Sequence, residues 1–398
     1  RPMRLSRLVG DTVPIQAAGA LALVAQNIFG PWWYGREAFG EATRALALPY
    51  LLQGLIEPII VSLWVVSTVS GKGGPALRRR LLFDTSLVVG AGSLAACVLA
   101  IGTTGATAQG LASVIAAVIV FPLLVISTAL IARLYACREF GALARALFVN
   151  ALSFLAALLM ARTWGAGGFV TAIAASHVIL QVALSRHLIV IWRDAQPLAL
   201  FLGRADRLDS RPWGRYIAAL APKASLLWFN AGILFVASML LAPSELAHLK
   251  VAIVMAFAVL YALPVSPYVL QAHSVSTVDA DALRRLTHSL LLVAIISVMI
   301  AGVLWFAMPW VEGWLLGASS GRFRTIAWAV PGIALIALLG GVLTVRGAVR
   351  ALVTGALVGI ALSLAALGCA DDVALPMLAG LHSTVLVYAA AFARLARA

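Results

Sequence analysis

The sequence predicts an all-α integral membrane protein with about 12 transmembrane helices, arranged as two parallel six-helix repeats around a central cavity. Hydrophobic residues make up 63% of the 398-residue chain and charged residues only 11%, with a mean hydropathy of +1.02. These values are too apolar for a domain whose whole surface meets water. In addition, apolar stretches of helical length recur along the chain, and landmarks of its first half recur in its second half.

The apolar stretches are long enough to cross a hydrocarbon core of about 30 Å as helices. Strands of a membrane barrel would be about ten residues long and would alternate in polarity. The predicted spans lie near residues 11–30, 42–69, 82–101, 109–132, 146–163, 168–192, 216–242, 249–272, 289–310, 325–345, 348–368 and 373–393.

The distribution of basic residues predicts the orientation. Of the 29 Lys and Arg residues, 22 fall in loops on one side of the predicted spans, six fall on the other side, and Lys223 alone lies within a span. Because basic loops stay in the cytoplasm, we expect both termini to be cytoplasmic. The net charge of +14 is then explained by topology, so we expect membrane lipids and no nucleic acid as partners.

An internal repeat with an offset of 205 to 208 positions supports a duplicated unit. The matching features are "ALRR" at 76–79 and 282–285, "RAL" at 145–147 and 350–352, Arg7 and Pro14 with Arg215 and Pro222, Arg44 with Lys250, Pro58 with Pro264, and His177 with His382.

The repeat predicts the domain organisation. A unit with an even number of spans begins and ends on the same side, so its copy has the same orientation in the membrane. We therefore predict an N-terminal six-helix lobe at 1–192, a cytoplasmic linker at 193–215 and a C-terminal six-helix lobe at 216–398. Two lobes joined in this way can rock about a central cleft, as in an alternating-access transporter.

Glu57 is the candidate ion-coupling residue. It lies 13 residues after Arg44, which places it near the middle of the bilayer, and Gln53 precedes it by one turn on the same helix face. An acid at this depth usually faces a bundle interior or a wet cavity. The sequence leaves open a proton or cation coupling site, a cavity-lining group and a protonated packing residue.

Lys223 is the candidate cationic group of the cavity. It lies eight residues after Arg215, so its side chain either snorkels to the cytoplasmic headgroups or lines a cavity for an anionic substrate. Asn230, seven residues further along the same helix face, favours the cavity.

Other polar residues could line the same pathway. Gln26 and Asn27 in the first span either face a wet cleft or form hydrogen bonds between helices. His177 and His382 are either packing or pathway residues. A strongly cationic cavity would require Arg44, Lys250 or loop arginines to turn inward.

No metal site or bound cofactor is expected, because Cys97, Cys137 and Cys369 are far apart and the histidines have no ligand at metal-binding spacing.

The sequence does not favour an enzyme. Membrane glycosyltransferases and polymerases need paired acids or long outer loops, whereas Asp279 and Asp281 fall on the cytoplasmic side and Asp371 and Asp372 in a short turn. The "GKGGP" stretch at 71–75 lacks the pattern of a phosphate-binding loop. Energy would therefore come from an ion gradient, the membrane potential or removal of the substrate.

Three segments resemble Wzx-type oligosaccharide flippases of the multidrug/oligosaccharidyl-lipid/polysaccharide exporter superfamily. They are "YGREAFGEATRALALPYLLQGLIEPII" at 34–60, "WGAGGFVTAIAASHVIL" at 164–180 and "GWLLGASSGRFRTIAWAVPGIALI" at 313–336. The resemblance implies two six-helix lobes around a cavity. It also implies an undecaprenyl-diphosphate-linked oligosaccharide as substrate, whose diphosphate suits a cavity lined by Lys or Arg.

The predicted function is therefore a flippase that moves this lipid to the outer leaflet of the bacterial inner (plasma) membrane, with other polysaccharide-assembly proteins as partners. The alternative is a multidrug or small-solute exporter of the same fold that is coupled to H⁺ or Na⁺. A membrane glycosyltransferase or polymerase is the second alternative.

Overall fold

The computed structural model of the chain describes residues 5–69, 116–187, 220–221, 223–262, 280–345, 348–367 and 373–397. Within these ranges every regular element is helical. They contain ten helical segments that are long and apolar enough to cross a membrane. The predicted all-α, multi-pass membrane fold is thus confirmed.

The helical segments follow the predicted spans closely. The first segment, Gly10–Glu57, covers the span at 11–30 and the part of the span at 42–69 that ends at Glu57. Several predicted features lie outside the described residues. They are the span at 82–101, the linker at 193–215 with its Arg215, the first "ALRR" stretch, the "GKGGP" stretch, Pro222, Pro264, Cys97, Cys369, Asp279, Asp371 and Asp372.

In the first half of the chain the helices are α1 (Leu5–Val24), α2 (Gly30–Val69), α3 (Phe121–Ala136), α4 (Phe140–Met160) and α5 (Gly165–Ala183). In the second half they are α6 (Ile233–Leu240), α7 (Pro243–Phe257), α8 (Val259–Ala262), α9 (Ala280–Leu316), α10 (Ala329–Val345), α11 (Val349–Leu367) and α12 (Ala374–Arg397). Residues 223–227 are also helical.

The connection between the first two predicted spans is more helical than expected. Helix α2 begins at Gly30, and the expected loop is reduced to a break at Gly35, whose φ is 75°. This angle lies in the left-handed region that glycine adopts without a Cβ clash. The break lets the chain turn while residues on both sides remain helical.

Two π-helical turns interrupt matching helices of the two halves. Ala25–Phe29 follows α1, and Trp228–Gly232 precedes α6. They fall within the first and the seventh predicted spans, which the repeat pairs with each other. A π-turn holds one more residue than an α-turn and commonly occurs at functional sites.

Each half is held together by apolar contacts. In the first half, α2 packs on α3 and α5, and α1 packs on α4. In the second half, α11 and α12 approach closely where Gly355 faces the buried ring of Tyr388 and Gly359 faces Thr384. Small residues of this kind let helix backbones come together inside a membrane.

The halves also touch each other through α2 and α7. One cluster of buried apolar residues includes Leu46 of α2 together with Val251 of α7 and Leu315 of α9. These contacts lie at the end of the bundle that holds residues 30–46 and 241–251. The basic-residue distribution predicts this end to face outward, and we call it the predicted outer end.

Candidate functional site

A cavity with a volume of about 660 Å³ lies between the two halves of the chain. Cavities of this size commonly hold drug-sized ligands. Eight of the predicted pathway residues line it: Gln26, Asn27, Gln53, Glu57, His177, Lys223, Asn230 and Lys250. The sequence therefore identified residues that the fold brings together from distant parts of the chain.

Glu57 and Lys223 form an ion pair across the cavity. The Lys223 Nζ atom lies 3.5 Å from the Glu57 Oε1 atom, and the side chains are 29% and 34% exposed, respectively. Glu57 belongs to α2 and Lys223 to the helical segment that leads into the π-turn of the second half. Lys223 therefore points toward an acid in the cavity.

Gln53 connects this ion pair to the wall of the first half. Its Nε2 atom donates a hydrogen bond to Glu57 Oε2 at 2.9 Å and lies 3.3 Å from Thr128 Oγ1. The Thr128 hydroxyl in turn donates to the carbonyl oxygen of Leu124 at 2.9 Å. The Glu57 carboxylate is thus oriented by its own helix and by α3.

Lys250 lies in a different environment. Its Nζ atom stands 5.8 Å from the centroid of the Tyr50 ring, within reach of a cation–π interaction. Tyr50 also lines the cavity. The sequence analysis did not single out Tyr50, although its spacing to Gln53 and Glu57 puts all three on one helix face.

The two equivalent histidines have different environments. His177 lines the cavity, and its Nδ1 atom lies 3.0 Å from the Ser127 hydroxyl. His382 lies outside the cavity lining on the exposed surface of α12, where its Nδ1 atom is 2.8 Å from the Leu378 carbonyl oxygen. The structure brings only His177 to the cavity.

Both π-turns contribute an asparagine to the cavity wall. Asn27 belongs to Ala25–Phe29 and Asn230 to Trp228–Gly232. Asn27 Nδ2 donates to the carbonyl oxygen of Leu23 at 3.0 Å. The sequence analysis named both residues but gave no sign that each would lie in a widened turn.

Asn150 is a cavity residue that the sequence analysis missed. It is only 6% exposed, and its Oδ1 atom has no hydrogen-bond partner among the described residues. An asparagine in the middle of the apolar helix α4 is the signal that could have identified it.

Arg44 lies outside the cavity lining and connects the two halves. Its Nη2 atom donates a hydrogen bond to the carbonyl oxygen of Leu241 at 2.6 Å. Leu241 follows the last residue of α6, where unpaired carbonyl groups attract a cation. Arg44 is therefore part of the contact between the halves at the predicted outer end.

Three further contacts close this end. Trp32 and Trp314 stack with ring centroids 6.1 Å apart and an interplanar angle of 25°. A Cβ atom added at Gly40 would collide with the backbone carbonyl of Pro243. Leu46 and Val251 are each only 1% exposed within the shared apolar cluster. The two halves are thus in direct contact at the predicted outer end.

A buried acid lies near the same end but outside the cavity lining. Glu312 of α9 is fully buried, and its Oε2 atom accepts hydrogen bonds from the backbone N–H groups of Ser320 and Gly321 at 3.0 and 3.2 Å. The Nδ1 atom of His248 lies 3.5 Å from the same oxygen. This cluster joins α7, α9 and the loop that follows α9.

No family profile and no curated protein sequence matches the chain. Solved structures do match it. The chain is similar to the MATE multidrug transporter DinF-BH, with 12% identity, coverage of 99% of this chain and 95% of that chain, and a TM-score of 0.66.

The fold is that of MATE transporters. The eukaryotic MATE transporter AtDTX14 aligns at 13% identity with a TM-score of 0.62, over 98% of this chain and 94% of that chain. The inward-facing conformation of a multidrug resistance MATE family transporter of the MOP superfamily aligns at 10% identity with a TM-score of 0.60, over 97% and 96%.

Proposed function

We propose that the chain is a cation-coupled exporter that moves drug-sized amphipathic solutes across the membrane by alternating access. The observation that carries the proposal is the Glu57–Lys223 ion pair, which joins the two halves inside the cavity. The cavity volume of about 660 Å³ fits solutes of drug size. The MATE fold supports the same mechanism.

Alternating access requires the two lobes, 1–192 and 216–398, to rock against each other. The contacts that would open at the predicted outer end include one charge-assisted hydrogen bond, one tryptophan stack, the close approach of Gly40 to Pro243 and an apolar cluster. We propose that the structure has the cavity closed toward the outside of a bacterial inner (plasma) membrane, with both termini cytoplasmic.

The ion pair provides a coupling mechanism. A proton or another cation that binds Glu57 neutralises the charge that holds Lys223 across the seam. Lys223 is then released, so both the contact between the halves and the charge of the cavity wall change together. A cation gradient could drive rocking because the bound cation favours one arrangement of the lobes over the other.

Transport by the full chain in proteoliposomes tests this proposal. A panel of fluorescent amphiphiles of both charge signs is offered in the presence and absence of a proton or sodium gradient. We expect gradient-dependent movement of at least one amphiphile, and we expect Glu57→Gln to lower the gradient-dependent part about tenfold or more. An absence of gradient-dependent movement for the whole panel would contradict the proposal.

A second candidate function is the flipping of an undecaprenyl-diphosphate-linked oligosaccharide. The observation that favours it is the presence of two lysines, Lys223 and Lys250, in the cavity lining, since a diphosphate binds clustered cations. The segments that resemble Wzx-type flippases also favour it, and polysaccharide-assembly proteins would be its partners. Translocation of a lipid-linked sugar in the same proteoliposomes, with no movement of small amphiphiles, would identify this function.

A further inference from the structure

We propose that Lys250 and Tyr50 form a subsite for the anionic group of the substrate, so that the transported solute is an anionic amphiphile. This inference rests on the proposed transport function and names the substrate class of the same cavity. It is argued from the charges of the cavity wall, the surroundings of Lys250 and the position of Lys250 along its helix.

The charges of the described cavity wall do not balance. Its carboxylate and ammonium groups belong to Glu57, Lys223 and Lys250. Glu57 pairs with Lys223 at 3.5 Å, whereas none of the described acids forms an ion pair with Lys250. The pair is neutral as a unit, so the wall retains one positive charge at Lys250.

Lys250 is poorly compensated by its surroundings. Its nearest partner in the described part of the chain is the face of the Tyr50 ring at 5.8 Å. A cation–π contact contributes about 0.5–2 kcal/mol, far less than the cost of removing an ammonium group from water. An anionic ligand would supply the missing partner, while the tyrosine ring would contact the apolar body next to it.

The neighbours of Lys250 leave its side chain the cavity side. Lys250 lies seven residues into α7, which begins at Pro243, so its Cα atom is about 10 Å along the helix from that first residue. The fully buried Ala247 and the nearly buried Val251 flank it within the contact between the halves. The side chain lines the cavity instead, where a solute can reach it.

An anionic group of this kind has two chemical sources. It could be the carboxylate or sulfonate of a free amphiphile, or the diphosphate headgroup of an isoprenoid lipid. Both would place a negative charge on Lys250 and an apolar part against the cavity wall. The experiment must therefore separate the two sources as well as test the subsite.

A matched pair of ligands tests the sign of the charge. The full chain is purified in detergent, and the rise of its unfolding temperature is titrated with 1-naphthylacetate and with 1-naphthylmethylamine, which share one apolar body. We expect the acid to bind at least about tenfold more tightly than the amine. Equal binding, or tighter binding of the amine, would overturn the proposal.

Substitutions test the residue. We expect Lys250→Gln to weaken naphthylacetate binding about tenfold or more, and Lys250→Arg to retain most of it. Unchanged binding in Lys250→Gln would overturn the assignment. If Lys250→Gln does not fold, the preference of the wild-type protein for the acid over the amine still tests the sign of the charge at the subsite.

Binding of farnesyl diphosphate tests whether the subsite takes the diphosphate headgroup of a lipid. Tighter binding of farnesyl diphosphate than of naphthylacetate, lost in Lys250→Gln, would assign the subsite to a lipid diphosphate, and the reverse order would assign it to a free anion. These are binding measurements, so their failure can be told apart from a failure of gradient-driven transport in proteoliposomes. If the chain transports only cationic amphiphiles, the proposed export function would stand, but the proposed subsite for an anionic group would be wrong.

Discussion

The ammonium group of Lys223 and the carboxylate of Glu57 lie 3.5 Å apart, although the two residues are in opposite halves of the chain. The pair is about one-third exposed to the cavity, so solvent and solutes can reach it. An ion pair in this position links the charge state of one residue to the contact between two bundles. We therefore expect cation binding at Glu57 to be coupled to the rocking of the two lobes through this ion pair.

Glu57→Gln tests the coupling role. The amide keeps the size of the side chain and can still bond to Gln53, but it cannot carry a negative charge. We expect the gradient-dependent part of transport in proteoliposomes to fall about tenfold or more, because coupling free energies are typically about 1–3 kcal/mol. We expect the unfolding temperature to fall only by the small amount that a partly exposed ion pair contributes. Wild-type coupling in this variant would reduce Glu57 to a packing role.

A double-mutant cycle measures the ion pair itself. We expect Glu57→Gln and Lys223→Gln to affect the free energy of unfolding non-additively, with an interaction energy of about 0.5–3 kcal/mol. Partial exposure of both side chains to solvent favours the lower part of this range. Chemical or thermal unfolding of the four proteins in detergent gives the value. Additive effects would show that the two residues do not interact in the folded protein.

Gly40→Ala tests the closed predicted outer end. The added methyl group would meet the backbone of Pro243, which cannot rotate away as a side chain could, so the two halves must separate. We expect a cost of about 1–3 kcal/mol to the closed arrangement. The distance between spin labels at the exposed positions Glu37 and Ser319 is measured in a background without native cysteines. We expect it to be longer in Gly40→Ala than in the parent protein.

Gly302→Ala is the matched control for Gly40→Ala. An added Cβ at Gly302 has no heavy atom within 4 Å, so the label distance should remain that of the parent protein. An unchanged distance in Gly40→Ala as well would contradict the contact described between α2 and α7.

Glu312→Gln tests the buried cluster near the predicted outer end. One amide oxygen can still accept the bonds from Ser320 and Gly321, but the NH₂ group would replace Glu312 Oε1, which has no hydrogen-bond partner among the described residues. We expect a loss of about 1–3 kcal/mol in the free energy of unfolding, because a buried donor is left unsatisfied.

The control for Glu312→Gln is Glu245→Gln. Glu245 is paired with Arg322 at 2.8 Å, but the two side chains are 44% and 40% exposed. Exposed pairs contribute at most about 1 kcal/mol, so this variant should unfold close to the wild-type temperature. If both variants lose a similar free energy of unfolding, the burial of Glu312 is not the cause of the destabilisation.

The sequence was sufficient for the fold class and for the charged residues Glu57, Lys223 and Lys250 of the cavity wall. Membrane burial requires long apolar helices, and an ionisable residue such as Glu57 or Lys223 stands out against them. The spacing rules then place Gln53 on the face of Glu57. These properties are local to one helix, so they can be inferred without knowledge of the neighbouring helices.

The rest depends on contacts between helices, which spacing does not determine. The repeat pairs Arg44 with Lys250, yet Arg44 binds the Leu241 carbonyl and Lys250 lines the cavity. It also pairs His177 with His382, and only His177 reaches the cavity. Tyr50 and Asn150 were missed because a tyrosine and an asparagine are common packing residues until the opposite wall is known.

The widened turns at Ala25–Phe29 and Trp228–Gly232 have a consequence for how the cavity wall could be rearranged. A widened turn accommodates one residue more than the regular helical path, and each residue corresponds to about 100° around the helix axis. Migration of that extra residue along the helix would swing the side chains it passes, including Asn27 and Asn230, away from the solute. Each half could thus exchange the surface it presents without losing its backbone hydrogen bonds.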